Sequence, residues 1–107
     1  MAKNREMADQ QQLSLGRLLE LTDLMLARAL DQQWESVREL QVLRDSLIRD
    51  FYNEEIILDD QCVVRAINHI IESDQKLARL GLEERSLLQA QIYKLKHGRS
   101  AVKAYTG

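Results

Sequence analysis

The stretch that decides the fold is DQCVVRAINHIIESDQKLARLGLEERSLLQAQIYKLKH, residues 60–97. It contains no Pro, and its apolar residues recur every three or four positions, which is the spacing of one face of a helix. Its one glycine, Gly81, costs a helix about 1 kcal/mol and does not by itself end it. The sequence therefore predicts one long helix here, with a break at Gly81 and a fourth helix as the alternative.

Two shorter segments with the same periodicity precede this stretch, from about Leu13 to Leu30 and from about Trp34 to Phe51. The Asp31-Gln32-Gln33 break between them is so short that it predicts antiparallel neighbours. The predicted inward-facing residues of the first helix are Leu15, Leu18, Leu19, Met25, Leu26 and Ala29. Those of the second helix are Trp34, Val37, Leu40, Leu43, Leu47 and Phe51.

The ends of the chain carry weaker signals. Residues 1–12 are mostly polar and are expected to fray. Gly98 is a helix stop signal, so residues 98–107 are expected to form a short tail, with an added helical turn as the alternative. We therefore predict a single all-α domain over residues 1–107, an antiparallel three-helix bundle with a long third helix.

Composition excludes several classes of protein. A chain of 107 residues with no Pro and 4 Gly lacks the turn residues of a β-sandwich or barrel. Its 1 cysteine, Cys62, rules out an intramolecular disulfide and favours a reducing compartment. No signal peptide is recognisable, and no apolar run approaches the roughly 20 residues of a membrane span. We expect a cytoplasmic protein without membrane insertion.

The net charge of −2 conceals an uneven distribution. Residues 85–107 carry five basic and no acidic residues, a net +5, whereas residues 1–84 carry ten basic and 17 acidic residues, a net −7. Basic residues near the C-terminal end of a helix most simply complement its dipole. Because the pI is about 5.7 and no groove-reading motif is present, we expect no nucleic-acid partner.

Motifs that carry chemistry are missing from the sequence. There is no glycine-rich phosphate loop, no paired cysteine, no His-Glu-x-x-His and no Gly-x-Ser-x-Gly. His69 has one acidic residue at helical spacing, Glu72, and His97 lies beside Lys96 near the C-terminal end of a helix, so structural or surface roles are favoured for both. We therefore expect neither an enzyme nor a catalytic, cofactor-binding or metal-binding residue.

Asp74 lies four residues after Ile70 and three before Leu77, on or near the apolar face of the third helix. A carboxylate in such a place must be paired or hydrogen-bonded if it is buried. Arg28 or Arg44 on a neighbouring helix is the candidate partner. The alternative places Asp74 at the edge of the face, in solvent.

The length of the third helix points to a binding surface. At 1.5 Å per residue it would be about 55 Å long and the second helix about 28 Å, so its second half is expected to project past the other helices. An apolar face left bare in water indicates a partner. That partner is a second copy, a helix of another protein, or the chain's own tail through Val102 and Tyr105. The residues predicted to bind it are Leu80, Leu87, Leu88, Ile92 and Leu95, with Tyr105 as a tail contact.

Three stretches carry a resemblance to a known family. The first is Ala29-Leu30-Asp31-Gln32-Gln33-Trp34-Glu35, a helix turn with Trp-Glu opening the second helix. The second comprises Ile67, Ile70-Ile71, Asp74, Leu77 and Arg85. The third is the small-residue tail Gly98-Arg99-Ser100-Ala101-Val102-Lys103-Ala104-Tyr105. Together, over most of residues 13–105, they resemble the FliT family of flagellar export chaperones.

The resemblance implies a function that residue patterns alone do not. It implies a cytoplasmic helical chaperone of type III protein export in flagellum biogenesis, which binds the C-terminal segment of the filament-cap protein. Such a chaperone prevents premature assembly and delivers its client to the export apparatus. It also implies the export ATPase complex as a further partner. Two alternatives stay open, a structural homodimer and a regulator that binds a flagellar transcription factor.

Overall fold

A computed structural model describes the backbone of residues 2–106 and the side chains of residues 5–98. Over that range the chain folds into three helices, α1 (Ala2–Leu30), α2 (Trp34–Asn53) and α3 (Asp60–Thr106). The predicted all-α, three-helix architecture is confirmed. Helix α3 passes through Gly81 without interruption, so the alternative with a fourth helix is wrong.

The chain divides into two compact units. The first unit ends at Leu77 and contains α1, α2 and the N-terminal part of α3, whereas the second unit begins at Ala78 and consists of the rest of α3. In the first unit, α1 and α2 pack against each other and bury a core with side chains of α3. The residues of its main apolar cluster are Leu15, Leu18, Phe51 and Ala66, with Leu19, Leu47, Ile48, Ile56, Leu58, Cys62 and Ile70 packed around them.

The turn between α1 and α2 reverses the chain within three residues. The Gln33 N–H donates to the Arg28 carbonyl at 2.9 Å and the Gln32 N–H to the Ala29 carbonyl at 3.0 Å, which is the Schellman pattern that closes a helix. The pattern needs a left-handed residue, and Gln32 supplies it with φ of 61°. A non-glycine residue is strained there by about 1–2 kcal/mol.

The connection from α2 to α3 is held by α1. The Gln11 side-chain amide donates to the Glu55 carbonyl, and its oxygen accepts the Ile57 N–H at 2.9 Å. Gln11 is buried, so the expectation that residues 1–12 fray is wrong at this position. After the connection, Asp59 caps α3 by accepting the Gln61 N–H at 3.2 Å.

The C-terminal part of α3 departs from expectation at Gly98. The sequence predicted a helix stop there, but α3 continues to Thr106, so the predicted tail from 98 onward is helical up to that residue. Gly98 does not adopt the left-handed backbone that a glycine stop requires. Since neither Pro nor Gly lies between Gly98 and Gly107, nothing nearby in the sequence opposes continuation.

The buried face of α2 is rotated slightly from the predicted one. Val37, Arg44 and Phe51 are buried at seven-residue spacing, whereas Leu43, predicted to face inward, is 44% exposed. Positions 37, 44 and 51 lie along one line of the helix, and Leu43 lies about 100° away from position 44. The predicted inward position of Leu43 is therefore wrong, and a charged residue takes the central place.

Candidate partner-binding surface

The second unit exposes a row of apolar side chains along α3. Leu87, Leu88, Ile92 and Leu95 are between 49% and 66% exposed, and Leu80 is half-buried. At about 100° per residue, all five lie within an arc of about 140° on one side of the helix. We call these five residues the apolar stripe. Predicted partner residue Tyr105 lies outside the described side chains.

Apolar side chains also lie off this stripe. Leu82 is 64% exposed and lies about 120° around the helix from Leu88. The rings of Tyr93 and His97 contact each other edge to face, with centroids 4.1 Å apart, on the side of the helix away from the stripe. Leu82 therefore offers a matched control for substitutions within the stripe.

The first unit contains an apolar pocket that the sequence analysis did not identify. Its volume is about 110 Å³, and its lining includes Leu15, Leu18, Ile48, Phe51, Ile67 and Ile70. Tyr52 and Ile71, both exposed, also line it. One feature of the sequence could have indicated this pocket. Around Ile67, Ile70 and Ile71 the apolar arc of α3 is wider than a single row of inward-facing side chains would make it. The size of the pocket suits a single large apolar side chain.

Asp74 binds Arg44, one of the two candidate partners named from the sequence. The two guanidinium nitrogens Nη1 and Nη2 of Arg44 donate to the two carboxylate oxygens of Asp74 at 2.7 and 3.0 Å. The side chain of Arg44 is 5% exposed and that of Asp74 is 41% exposed. The predicted pairing with an arginine is thus confirmed. The alternative prediction also holds in part, because Asp74 lies at the partly solvated edge of the apolar face.

Besides Asp74, few groups form hydrogen bonds with the buried Arg44 guanidinium. Its Nη1 also donates to the Thr22 hydroxyl at 3.3 Å, and that hydroxyl in turn donates to the Leu18 carbonyl at 2.8 Å. Its Nε is buried and has no hydrogen-bond partner within the described part of the chain. The Asp74 carboxylate is therefore the main compensation for a buried positive charge, and the pair links α2 to the part of α3 that lies in the first unit.

His69 finds an acidic partner on a different helix. Its Nε2 lies 2.8 Å from the Asp23 Oδ1, and both side chains are largely exposed. This pair links α1 to α3 at the surface. Within the described residues no cluster of three or more His, Cys, Asp or Glu side chains is arranged to hold a metal ion. Over the same range, no helix has the length and apolar character that a membrane span requires.

Comparison with known proteins identifies a family. Residues 14–107 match the family model described as flagellar protein FliT. No curated protein and no solved structure matches the chain. The matched region includes all of α2 and α3 and the core-forming part of α1, which carries Leu15 and Leu18. Because the match covers well over half of its residues, the chain belongs to the FliT family of flagellar proteins.

Proposed function

We propose that this protein is a cytoplasmic, non-enzymatic flagellar export chaperone. It captures the C-terminal helical segment of the filament-cap protein, prevents that protein from assembling early and delivers it to the export apparatus. Membership of the FliT family supports the flagellar role. The observation that carries the chaperone mechanism is the exposed apolar stripe. Soluble proteins rarely expose such a surface without a partner for it.

The mechanism is non-covalent. An amphipathic helix of the client lies along the apolar stripe, and its own apolar face is removed from water and from other copies of the client. Burying one large aliphatic side chain contributes about 1.5–3 kcal/mol. Part of the energy from several such contacts is spent on ordering the segment.

A pair of single substitutions on α3 tests this proposal. Leu88→Asp places a carboxylate in the middle of the apolar stripe, and Leu82→Asp makes the same chemical change on another side of the same helix. Calorimetry with the cap protein's C-terminal segment should show about 30-fold or greater weakening for Leu88→Asp, because roughly 2 kcal/mol of apolar contact is lost. Leu82→Asp should bind like the wild type. Equal affinities of the wild type and Leu88→Asp would remove the stripe as the client site.

The exposed stripe also favours a second candidate function, a structural homodimer in which two copies cover each other's stripes. Sedimentation velocity separates the two candidates. A monomer at high concentration excludes the dimer. A dimer that persists in the presence of excess client segment would count against the chaperone proposal.

A further inference from the structure

The second unit differs sharply in charge from the first. From residue 78 onward the chain has six basic and two acidic residues, a net +4, whereas residues 1–77 have nine basic and 15 acidic residues, a net −6. Both acidic residues of the second unit, Glu83 and Glu84, lie before most of the apolar stripe. From Leu87 onward every charged residue in the sequence is basic, whereas Glu84, three residues before Leu87, lies within the arc of the stripe near its N-terminal end.

These basic residues lie on both sides of the apolar stripe. Arg85 is three residues before Leu88 and Lys96 is four residues after Ile92, which places both along one edge at about 100° per residue. Lys94 lies along the opposite edge, two turns after Leu87. The side chains of Arg85, Lys94 and Lys96 are all exposed. The stripe thus has a basic residue along each edge.

We propose that the partner of the apolar stripe is an acidic amphipathic helix, with Asp or Glu residues on both sides of its apolar face. This proposal rests on the proposed function only where it identifies that partner helix as a segment of the filament-cap protein. A helix fits better than a flat surface, because the stripe is narrow and extends over about four turns, from Leu80 to Leu95. Charges at the rim of such an interface mainly select the partner and speed its association.

Two synthetic peptides of identical length test this inference against the full chain. Both are helical with Leu at three- and four-residue spacing; one has Glu on each side of the apolar face and the other has Lys. Fluorescence anisotropy should show the Glu peptide binding at least tenfold more tightly. Because the whole chain has a net charge of −2, overall charge does not favour this peptide. Equal binding of the two peptides would overturn the inference.

Charge reversal at Arg85 and Lys94 tests whether these two residues cause the preference for the Glu peptide. In the double variant Arg85→Glu/Lys94→Glu, binding of the Glu peptide should weaken roughly tenfold, because two rim attractions become repulsions. Arg17→Glu is the control, since Arg17 is exposed on α1 in the first unit. Raising the salt from about 0.1 M to 1 M should also weaken binding, since the screening length falls to about 3 Å. An unaffected double variant, or salt-independent binding, would overturn the inference.

Other occupants give different results in the same assays. Preferential binding of vesicles with anionic headgroups, or of single-stranded nucleic acid, over the Glu peptide would overturn the assignment to an acidic helix. The cap protein's segment separates this inference from the proposed function. If that segment binds the wild type and the double variant equally, the function stands and the inference fails. If the Glu peptide binds and the cap segment does not, the inference stands and the function fails.

Discussion

Removing the carboxylate of Asp74 should destabilise the first unit far more than its partly exposed position suggests. The substitution Asp74→Ala leaves the buried Arg44 guanidinium without the group that accepts two of its hydrogen bonds. Its remaining side-chain acceptor is the Thr22 hydroxyl at 3.3 Å, and its Nε has no partner within the described residues. A buried charge without compensation is among the most costly local defects in a protein.

The magnitude follows from the burial of the two partners. Breaking a fully buried ion pair costs about 3–5 kcal/mol, and breaking an exposed pair costs about 0–1 kcal/mol. Arg44 belongs to the first class at 5% exposure and Asp74 is closer to the second at 41%, so we expect about 2 kcal/mol for Asp74→Ala. With a urea slope of about 2 kcal/mol per M, the unfolding midpoint falls by about 1 M.

The assay is urea unfolding followed by circular dichroism, with a double-mutant cycle. Arg44→Met keeps the aliphatic packing and leaves a carboxylate that water can reach, so it should cost only about 1 kcal/mol. The double variant should resemble Arg44→Met, since no orphaned cation remains. Asp23→Ala, which breaks the exposed pair with His69, should change stability by less than about 0.5 kcal/mol. If Asp74→Ala costs no more than Arg44→Met, the reasoning from the buried guanidinium is wrong.

Two further predictions concern the connections between helices. Gln32→Gly should raise the free energy of unfolding by about 0.5–1 kcal/mol, because glycine relieves the left-handed strain but loses more entropy on folding; an unchanged urea midpoint would contradict the strain. Gln11→Ala should cost about 2 kcal/mol, because it leaves the Glu55 carbonyl and the Ile57 N–H without their partner. Hydrogen exchange should show faster exchange at the Ile57 amide. Unchanged protection there would refute the proposed role of the Gln11 side chain in holding the 55–57 backbone.

Periodicity in the sequence was sufficient for the helices and for most of the core. The spacing of Leu15, Leu18, Met25 and Ala29 in α1 predicted a face that is buried in the structure. It was also sufficient to single out Asp74 as a charge near the core. Periodicity did not identify the partner of Asp74. Arg28 and Arg44 are equally plausible partners until the rotation of α2 about its axis is known.

Both errors of burial have the same physical origin. A prediction from hydrophobicity alone places Leu43 inward and Arg44 outward. It ignores the hydrogen-bonding partner on another helix that allows Arg44 to be buried. Gln11 was assigned to a frayed end for the same reason, although it lies four residues before Leu15 on the same face of α1. In both cases the buried polar side chain is compensated by a group distant in sequence, Asp74 for Arg44 and the 55–57 backbone for Gln11. The sequence offered Arg44 only as one of two candidate partners of Asp74, and it gave no sign of the contacts that Gln11 makes.

The apolar stripe shows the opposite situation, in which a pattern typical of a core is left exposed. In the first unit, apolar residues at helical spacing are used for folding, since Leu15, Leu18 and Phe51 bury each other. From Leu87 to Leu95 the same spacing continues, and at least half of nearly every such side chain remains in contact with solvent. Substituting those residues should therefore cost little folding stability while removing binding. That separation makes Leu88→Asp a test of function, because the variant is expected to unfold at nearly the same urea concentration as the wild type.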